Sequence, residues 1–515
     1  MKKILVFVAF VLALFQLSAQ KDINWVKIDS PKDDYVFKFF YKYTDNTYKA
    51  VFTIPNVKPF QPVKNQIFVR TFNADLSDYT EQNIPSEAPY LLNITGFQNY
   101  TVISGSTDEN KNPMMQFRAD NKLVVTDAQL NPLLNVSYSV HGKKHRFVGE
   151  PSVYKSADSS HLIIINTEIM TPDKPSLKEP PRMHFIEVYD KDLQLVWKDS
   201  VNFEKIFGEG IPLNNFDIDY LNNHLYIFAS HRTVPTKKVK ATLYFVRYDQ
   251  PQSYKIIDKQ IMMYDQFNWK FLITKQGKLI MSGVNYVTNS GSKKQLFFIT
   301  LDLNEADAQP KVKTFPIDKT FIAKYPQYKG ILTLYFAYPS DLILTPDGIV
   351  YVGEYHEAVT RTSSSGSYSS SSTTYYCKPI TFIKFDMNGN IVWLKAIEKY
   401  IASKTTYFPY FCRSFTHNNK VVVFYYDYLD NIFKDKYKGK LMFVSDTKLC
   451  LAKAEINAEG NITKSLIYNI GEGGKVANLL TLRQIDNDRY FIAGASIGFN
   501  PKNRGDYAAI YSLGE

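Results

Sequence analysis

Asp347-Gly-Ile-Val-Tyr-Val-Gly353 and Phe382-Ile-Lys-Phe-Asp-Met-Asn-Gly-Asn-Ile-Val-Trp393 are the two segments that decide the fold of this chain. Each sets strand-forming residues beside a short turn of Asp, Asn or Gly, the residues that most readily adopt the left-handed backbone of tight hairpins. The first segment predicts a hairpin at Asp347-Gly348, and the second predicts another at Asp386. Two successive hairpins make a unit of four antiparallel strands.

The first hairpin of this unit recurs along the chain. Eight turns of this type precede an apolar or aromatic run, at intervals of about 53 to 71 residues. They are Asp45-Asn46, Gln98-Asn99, Asp158-Ser159-Ser160, Asn222-Asn223, Gln276-Gly277, Asp347-Gly348, Asn418-Asn419 and Asn487-Asp488. A repeat of this period predicts one structural unit per copy.

A second hairpin with an acidic or amide turn follows in most copies. In addition to Phe382–Trp393, the second hairpin is visible in five runs: Ile67–Asp75, Leu123–Asp127, Phe185–Trp197, Leu243–Asp249 and Phe297–Asp302. Repeated four-stranded antiparallel sheets are typical of an all-β fold, the β-propeller, in which each sheet covers its neighbour. We predict eight blades, or seven if one copy is degenerate.

The last copy lacks one strand. It supplies Leu479–Leu482, Tyr490–Gly494 and Tyr507–Tyr511, and the chain then ends. At the other end, Ile23–Ile28 precedes the first full copy and has no partner in it. We therefore predict that this N-terminal strand closes the propeller, and that residues 21–515 form one domain.

The first twenty residues predict export. A basic start at Lys2 and Lys3 is followed by an apolar run from Ile4 to Leu17 and by the small residues Ser18 and Ala19. This is the pattern of a signal peptide, removed after residue 20, with an uncleaved anchor as the alternative. No later segment is apolar enough to span a membrane. The predicted location is the periplasm or the extracellular space.

Composition excludes several classes of protein. The 515 residues include 37 Tyr and 36 Phe and are 45% hydrophobic, so the chain can bury a large core and is not intrinsically disordered. The net charge is +11, but the Lys and Arg clusters are short and lie in predicted loops. Nucleic-acid binding would need a basic stripe on one face and is not predicted. Contact with an acidic envelope polymer is the alternative interpretation of these clusters.

Three cysteines, Cys377, Cys412 and Cys450, lie in a chain predicted to pass through an oxidising compartment. One disulfide is possible there, and an odd count leaves a thiol over. Cys377 with Cys412 is the preferred pair, because both lie on strand-like runs of neighbouring units.

The second hairpin also carries a family resemblance. Asp386-Met-Asn-Gly-Asn-Ile-Val-Trp393, with its partial echo at Asp190–Trp197, resembles the D-x-x-G-x-x-x-W hairpin of bacterial propeller repeats such as the pyrroloquinoline-quinone-like repeats. Leu344-Thr-Pro-Asp-Gly348 is similar to the turn of TolB-type propellers. The whole chain resembles an exported propeller family of Gram-negative bacteria. Quinone-dependent dehydrogenases would also imply adjacent cysteines and a Trp in nearly every blade. This chain has four Trp and no adjacent cysteines, so no cofactor is predicted.

The sequence nominates no catalytic, cofactor-binding or metal-ligating residue. Glu354-Tyr-His-Glu357 lacks the spacing of a helical zinc motif. His141 and His145 are interpreted as solvated histidines of a basic loop, with a metal site as the alternative. The Ser- and Thr-rich segment Thr362–Thr374 is interpreted as a mobile loop, tolerated or partner-binding. The aromatic runs 37–43, 407–411 and 424–428 are interpreted as packing between blades, with a sugar-binding or protein-binding surface as the alternative.

These observations predict an exported, non-enzymatic β-propeller that serves as a binding scaffold in the bacterial cell envelope, with a protein or glycan as partner. The alternative is an envelope hydrolase or lyase that acts on polysaccharide at the channel mouth. An enzyme would need clustered, perturbed ionisable groups, whereas a scaffold needs an aromatic or polar patch.

Overall fold

The computed structural model describes residues 23, 25–28, 36–42, 47–53, 67–83, 90–97, 100–106, 117–149, 151–170, 182–207, 213–232, 241–261, 266–286, 294–305, 307–334, 338–365, 368–403, 412–432, 449–470, 475–496 and 506–513. The predicted signal peptide, residues 1–20, lies outside these ranges. None of the described helices is long and apolar enough to cross a membrane.

The chain divides into two compact units, which we name by the blades they contain. The five-blade unit is Ser30–Phe321, and the three-blade unit combines Met1–Asp29 with Ile322–Glu515. All strand pairs in both units are antiparallel among the described residues.

The five-blade unit holds blades 1 to 5. Their strands are β2 (Val36–Lys42), β3 (Tyr48–Thr53), β4 (Ile67–Phe72) and β5 (Tyr79–Asn83); β6 (Tyr90–Phe97), β7 (Tyr100–Ser106), β9 (Asp120–Thr126) and β10 (Pro132–Ser139); β12 (Ser152–Lys155), β13 (Leu162–Met170), β14 (Arg182–Tyr189) and β15 (Leu195–Val201); β16 (Leu213–Leu221), β17 (His224–Arg232), β18 (Ala241–Gln250) and β19 (Ser253–Ile261); and β20 (Gln266–Ile273), β21 (Lys278–Tyr286), β22 (Lys294–Asp302) and β23 (Lys311–Pro316). Blade 3 gains two short strands, β8 (Phe117–Arg118) and β11 (His145–Val148), and a helix, α1 (Phe203–Phe207), follows it.

The three-blade unit holds blades 6 to 8. Their strands are β24 (Tyr338–Thr345), β25 (Gly348–Ser365), β26 (Tyr368–Phe385) and β27 (Ile391–Ile397), with β28 (Ile401–Ser403) paired to β26; β29 (Arg413–His417), β30 (Lys420–Tyr428), β31 (Leu449–Ile456) and β32 (Ile462–Asn469); and β33 (Lys475–Gln484), β34 (Arg489–Ser496) and β35 (Asp506–Ser512) with β1 (Val26–Ile28). The remaining helices are α2 (Lys319–Lys324), a 3-10 turn (Pro326–Tyr328), α3 (Lys329–Leu334) and α4 (Leu429–Ile432).

The N-terminal strand completes blade 8, as the sequence predicted. β1 pairs with β35, with Val26 opposite Ala508 and Ile28 opposite Asp506. Ile23 lies in the same apolar cluster as residues of blades 7 and 8, and the Trp25 ring meets Tyr468 edge-on at 6.0 Å. The strand thus brings its own apolar side chains to the blade it finishes.

The second strand of a blade buries both of its faces, each against a different neighbour. In β30, Val422 and Phe424 pack in a cluster with blade 8, whereas Val421 and Val423 pack in a cluster with blade 6. This explains why such strands are continuous apolar runs rather than alternating ones. The prediction that the aromatic run 424–428 packs between blades is therefore confirmed. The run 407–411 lies outside the described residues. Of the run 37–43, only the backbone of residues 37–42 is described.

The turns lie where the sequence placed them. Six of the eight predicted first turns join the first and second strands of their blades, and the other two, 45–46 and 98–99, lie outside the described residues. In the second hairpin of blade 6, the Asn390 amide donates to Asp386 Oδ1 at 2.8 Å, and Gly389 has a φ of 77°. The same backbone-to-side-chain bond recurs in three other blades. The Asn131 amide donates to Asp127 Oδ1 in blade 2, the Gln194 amide to Asp190 Oδ1 in blade 3, and the Asn461 amide to Asn457 Oδ1 in blade 7.

One prediction about blade 6 is wrong. Residues 362–365 and 368–374 belong to two 18-residue strands, β25 and β26, whose pairing runs out to Ser365 opposite Tyr368. The ladder satisfies the backbone without apolar burial, and the hydroxyls of Thr360 and Thr373 bond across it at 2.9 Å. We call residues 356–365 and 368–377 the blade-6 arm.

The fold class is therefore all-β, a β-propeller with eight four-stranded antiparallel blades. The seven-blade alternative is excluded, since every predicted copy forms a sheet of its own.

Candidate functional site

A cleft of about 400 Å³ lies on the first strands of blades 4 and 5. β16 contributes Phe216 and Asp217 to its wall, and β20 contributes four consecutive residues from Asn268 to Phe271. Phe216, Asn268 and Phe271 are half-buried, and Lys270 is exposed. The wall therefore offers aromatic faces together with an amide, a carboxylate and an ammonium group.

Asp217 and Trp269 hold the two walls of this cleft together. The indole Nε1 donates a hydrogen bond of 2.7 Å to Asp217 Oδ2. Burial raises the pKa of the Asp217 carboxyl, while the indole donor and the nearby Lys270 act in the opposite direction. The carboxylate thus positions a large aromatic side chain in the wall of the cleft.

A second aspartate on β16 reaches a different part of the unit. Asp219 Oδ1 accepts from the amide of Ala157, in the first turn of blade 3, at 3.1 Å, and from the amide of Tyr220 at 2.7 Å. Burial raises the pKa of Asp219 to about 7. Asp217 bonds to blade 5 and Asp219 to blade 3, so each carboxylate is engaged by a different neighbouring blade.

The three-blade unit uses the same device. Asp341 stands on the first strand of blade 6, as Asp217 stands on the first strand of blade 4. Asp341 Oδ2 accepts from the Ser414 amide of blade 7 at 3.1 Å. An aspartate that reaches the next blade is thus a structural element of this fold, and in blade 4 it also faces a cleft.

A cluster of ionisable side chains lies at the base of the blade-6 arm. The β25–β26 register shifts by one residue between Glu354 and His356, and His356 then stands opposite Cys377. His356 Nε2 is 3.0 Å from Glu354 Oε2, and its Nδ1 is 3.4 Å from Cys377 Sγ. Glu354 and His356, two residues of the motif that lacked helical zinc spacing, thus meet Cys377 through a strand and a β-bulge.

Glu354 is fully buried and forms an ion pair with the equally buried Lys399. Burial alone would raise the pKa of Glu354, but the Lys399 ammonium and His356 hold it below its usual value. Burial and the Glu354 charge raise the pKa of the Cys377 thiol well above its ordinary range. A protonated thiol at 1% exposure is a poor nucleophile, so this Cys–His–Glu line is structural.

The preferred disulfide is wrong: Cys377, Cys412 and Cys450 are all buried free thiols. The Cys412 amide donates to Glu354 Oε2 at 2.7 Å, and Cys450 Sγ donates to the Asp427 carbonyl at 3.0 Å. Cys377 contacts His356. Each thiol residue is therefore held by a different polar partner rather than by another cysteine.

The sequence suggested that His141 and His145 are solvated histidines of a loop, and this interpretation is wrong. Both rings reach the buried carboxylate of Glu168. Across the described ranges, no group of three or more His, Cys, Asp or Glu side chains is arranged to hold a metal ion. The sequence signal for the pair was the spacing of two histidines around a tight turn, but their carboxylate partner stands on another strand.

A scan against protein-family models finds no match. A search of curated proteins also finds none.

Among solved structures, the chain is similar to the acylaminoacyl peptidase of Pyrococcus horikoshii, at 8% identity and a TM-score of 0.31, over 76% of this chain and 58% of the peptidase. It is similar to a Synechocystis apocarotenoid oxygenase at 9% identity and a TM-score of 0.28, over 73% of this chain and 97% of the oxygenase. It is similar to the α-L-arabinanase of Penicillium chrysogenum at 10% identity and a TM-score of 0.26, over 57% of this chain and 97% of the arabinanase. The chain spans less than three fifths of the peptidases it matches. No activity is inferred from similarities this distant.

Proposed function

We propose that the chain is an exported, non-enzymatic β-propeller that binds a glycan of the bacterial cell envelope in the blade-4/5 cleft. The observation that carries this proposal is the cleft wall, where the rings of Phe216 and Phe271 stand beside the polar groups of Asn268, Asp217 and Lys270. Sugars present apolar C–H faces to aromatic rings and hydroxyls to amides and carboxylates, so this mixture suits them.

Export is part of the proposal and is supported by residues 1–20. The basic start, the apolar run to Leu17 and the small residues Ser18 and Ala19 follow the order of a signal peptide. Periplasmic or extracellular location follows from it.

The repeats belong, in this proposal, with the bacterial propeller repeats that they resemble. The Asp386 turn supports this kinship, because its amide-to-carboxylate bond recurs in blade 3, where Leu193 takes the left-handed position of Gly389 with a φ of 60°. Gly460 fills the same position in blade 7 with a φ of 81°.

A binding role is favoured over a hydrolase or lyase by the partners of the carboxylates. Hydrolysis of a glycosidic bond needs two carboxyl groups that flank one bond. Asp217 is engaged by Trp269 and Asp219 by Ala157, which lie in different blades. These contacts use the carboxylates to join blades.

The test is a thermal-shift screen of the purified protein, signal peptide removed, against envelope glycans such as peptidoglycan fragments and lipopolysaccharide core oligosaccharides. The proposal expects one glycan class to raise the melting temperature. Asn268→Ala and Phe271→Ala should each weaken its binding about fivefold, since each removes one hydrogen-bonding or stacking group worth about 1 kcal/mol. Lys191→Ala, at an exposed turn of blade 3, is the matched control and should bind as the unaltered protein does.

Three results would contradict this proposal. Release of new reducing or unsaturated ends from a bound glycan would establish the enzyme instead. A glycan that binds Asn268→Ala and Phe271→Ala as tightly as the unaltered protein would place the site elsewhere, and no response to any glycan, with a crosslinked protein captured in cells, would make the partner a protein.

A further inference from the structure

The blade-4/5 cleft carries a positive charge that forms no ion pair among the described residues. Lys270 lies on β20 in the cleft wall, and the residue is exposed. The ion pairs of blades 4 and 5 join other residues, such as Arg247 with Asp249. Within the described ranges, Lys270 takes part in none of them. A ligand that enters the cleft therefore meets an ammonium group that is available to a negative charge.

The carboxylate of the same wall is already engaged. Asp217 Oδ2 accepts the Trp269 indole N–H at 2.7 Å. Burial raises the pKa of the Asp217 carboxyl, and the Lys270 ammonium acts against that rise, so the positive charge acts within the cleft. Lys270 and Asp217 do not form an ion pair with each other. The ammonium can therefore attract a negative group of the ligand.

Asn268 supplies a polar partner at a fixed spacing from Lys270. The register of β20 with β21 is regular over both residues. Side chains alternate along a strand that rises about 3.3 Å per residue, so Asn268 and Lys270 project from one face of β20, roughly 7 Å apart. Asn268 Nδ2 donates to the Tyr286 hydroxyl at 3.4 Å, which orients the amide, and Oδ1 can accept from a sugar hydroxyl. This spacing suits one sugar ring with an anionic group at one end and hydroxyls at the other.

We infer that the glycan of the blade-4/5 cleft is acidic, and that a uronic acid places its carboxylate on Lys270 and a ring hydroxyl on Asn268. This inference rests on the proposed function of the cleft and names the class of its ligand. A carboxylate is preferred over a phosphate ester because one ammonium matches one negative charge. A phosphate monoester carries close to two negative charges at neutral pH, and the second would be repelled by Asp217 of the same wall.

The experiment is calorimetric titration of the purified protein, signal peptide removed, with matched pairs of glycans. Trimers of galacturonic, glucuronic and mannuronic acid are each compared with their methyl esters, which keep the ring and its hydroxyls but lose the charge. A phosphorylated mannose trimer tests the phosphate ester. We expect one acid to bind about fivefold more tightly than its ester, the upper range for an exposed ion pair, and more tightly than the phosphorylated trimer.

Lys270→Ala should lower the affinity for the acid to that for the ester, and should leave the affinity for the ester unchanged. Lys270→Arg keeps the charge and should keep the preference for the acid. Lys275→Ala is the matched control, since Lys275 is an exposed lysine of the same blade and its replacement changes the net charge by the same amount. This control should bind the acid and the ester as the unaltered protein does.

The possible failures of this inference and of the proposed function are distinguishable. Equal affinity for every acid and its ester would overturn the inference and leave the proposed function standing, because a glycan would still bind. A preference for the acid that persists in Lys270→Ala would overturn the inference as well, as would tighter binding of the phosphorylated trimer than of any uronic acid. If no glycan bound, charged or neutral, the proposed function would be wrong and the inference with it.

Discussion

Glu354 and Lys399 form an ion pair that is withdrawn from solvent at the base of the blade-6 arm. The carboxylate also accepts the Cys412 amide, which belongs to the start of blade 7. One buried charge pair thus connects the arm to the neighbouring blade. Because the pair lies inside the protein, its energetic role depends on whether both charges are present.

Lys399→Met should destabilise the protein by about 3–5 kcal/mol, because it leaves the Glu354 carboxylate buried without its counter-charge. Urea unfolding of the unaltered protein and the variant measures this difference.

The double variant Glu354→Gln/Lys399→Met is the control. It removes both charges and keeps an oxygen acceptor for the Cys412 amide, so it should recover most of the lost stability. A double variant as unstable as Lys399→Met alone would show that charge burial is not the cause.

Asp219 should make stability fall as pH rises. Burial raises its pKa to about 7 in the folded protein, above the ordinary value of 3.8. A raised folded pKa means that the stabilising contribution is fully present below about pH 4 and is lost as pH rises through 7. The difference corresponds to about 4 kcal/mol between these limits.

Asp219→Asn tests this, because the amide imitates the uncharged acid and keeps an oxygen for the Ala157 amide. The variant should unfold at higher urea than the unaltered protein at pH 8 and should show a smaller loss between pH 4 and pH 8. Asp307→Asn, at an exposed aspartate, is the control and should retain the full pH dependence. Parallel pH profiles for all three proteins would contradict the prediction.

Much of the fold was predictable because its determinants are local. The Asn, Asp and Gly turns fix hairpins within a few residues, and Val421 to Phe424 shows why the second strands are continuous apolar runs. The blade-6 arm was missed because its Ser and Thr residues signal a loop by composition, whereas a backbone ladder alone orders them. That residues 21–515 form one domain stays a prediction.

The candidate sites were not predictable, because their partners are distant in sequence. Asp217 meets Trp269 across 52 positions, and His141 meets Glu168 across 27. Glu354 and His356 were visible as neighbours, but a β-bulge was needed to bring Cys377 to them. A short sequence motif can predict a site only when its residues lie on one helix or strand. The side chains of these clusters come from several strands.

Deletion of residues 21–30 should lower the melting temperature and promote aggregation. It removes β1 from β35 and exposes that strand as an open sheet edge. It also removes Ile23 and Trp25 from the apolar cluster of blades 7 and 8. Differential scanning calorimetry and light scattering measure the two effects.

Trp25→Ala separates the two causes. It keeps the β1 backbone pairing and removes only the ring that meets Tyr468, so it should lower the melting temperature less and should not aggregate. If the deletion variant had the same melting temperature as the unaltered protein, β1 would not be needed to hold blade 8 together.

Gly283→Ala should disrupt the cleft through its backbone. Gly283 stands opposite Trp269 in the β20–β21 ladder, and an added Cβ would lie 2.1 Å from the Asn268 carbonyl oxygen and 2.8 Å from Trp269 Cα. Both neighbours are main-chain atoms, so β20 itself must shift, and a loss of about 3 kcal/mol is expected. Because Asn268 and Trp269 line the cleft, binding of the glycan proposed for this cleft should weaken as well. Gly330→Ala gives the opposite sign, since Gly330 lies in helix α3 with open space around its Cβ position, and alanine there should add about 1 kcal/mol. Urea unfolding of both variants decides the matter: equal stability of Gly283→Ala and the unaltered protein would mean that β20 and β21 do not approach as closely as described.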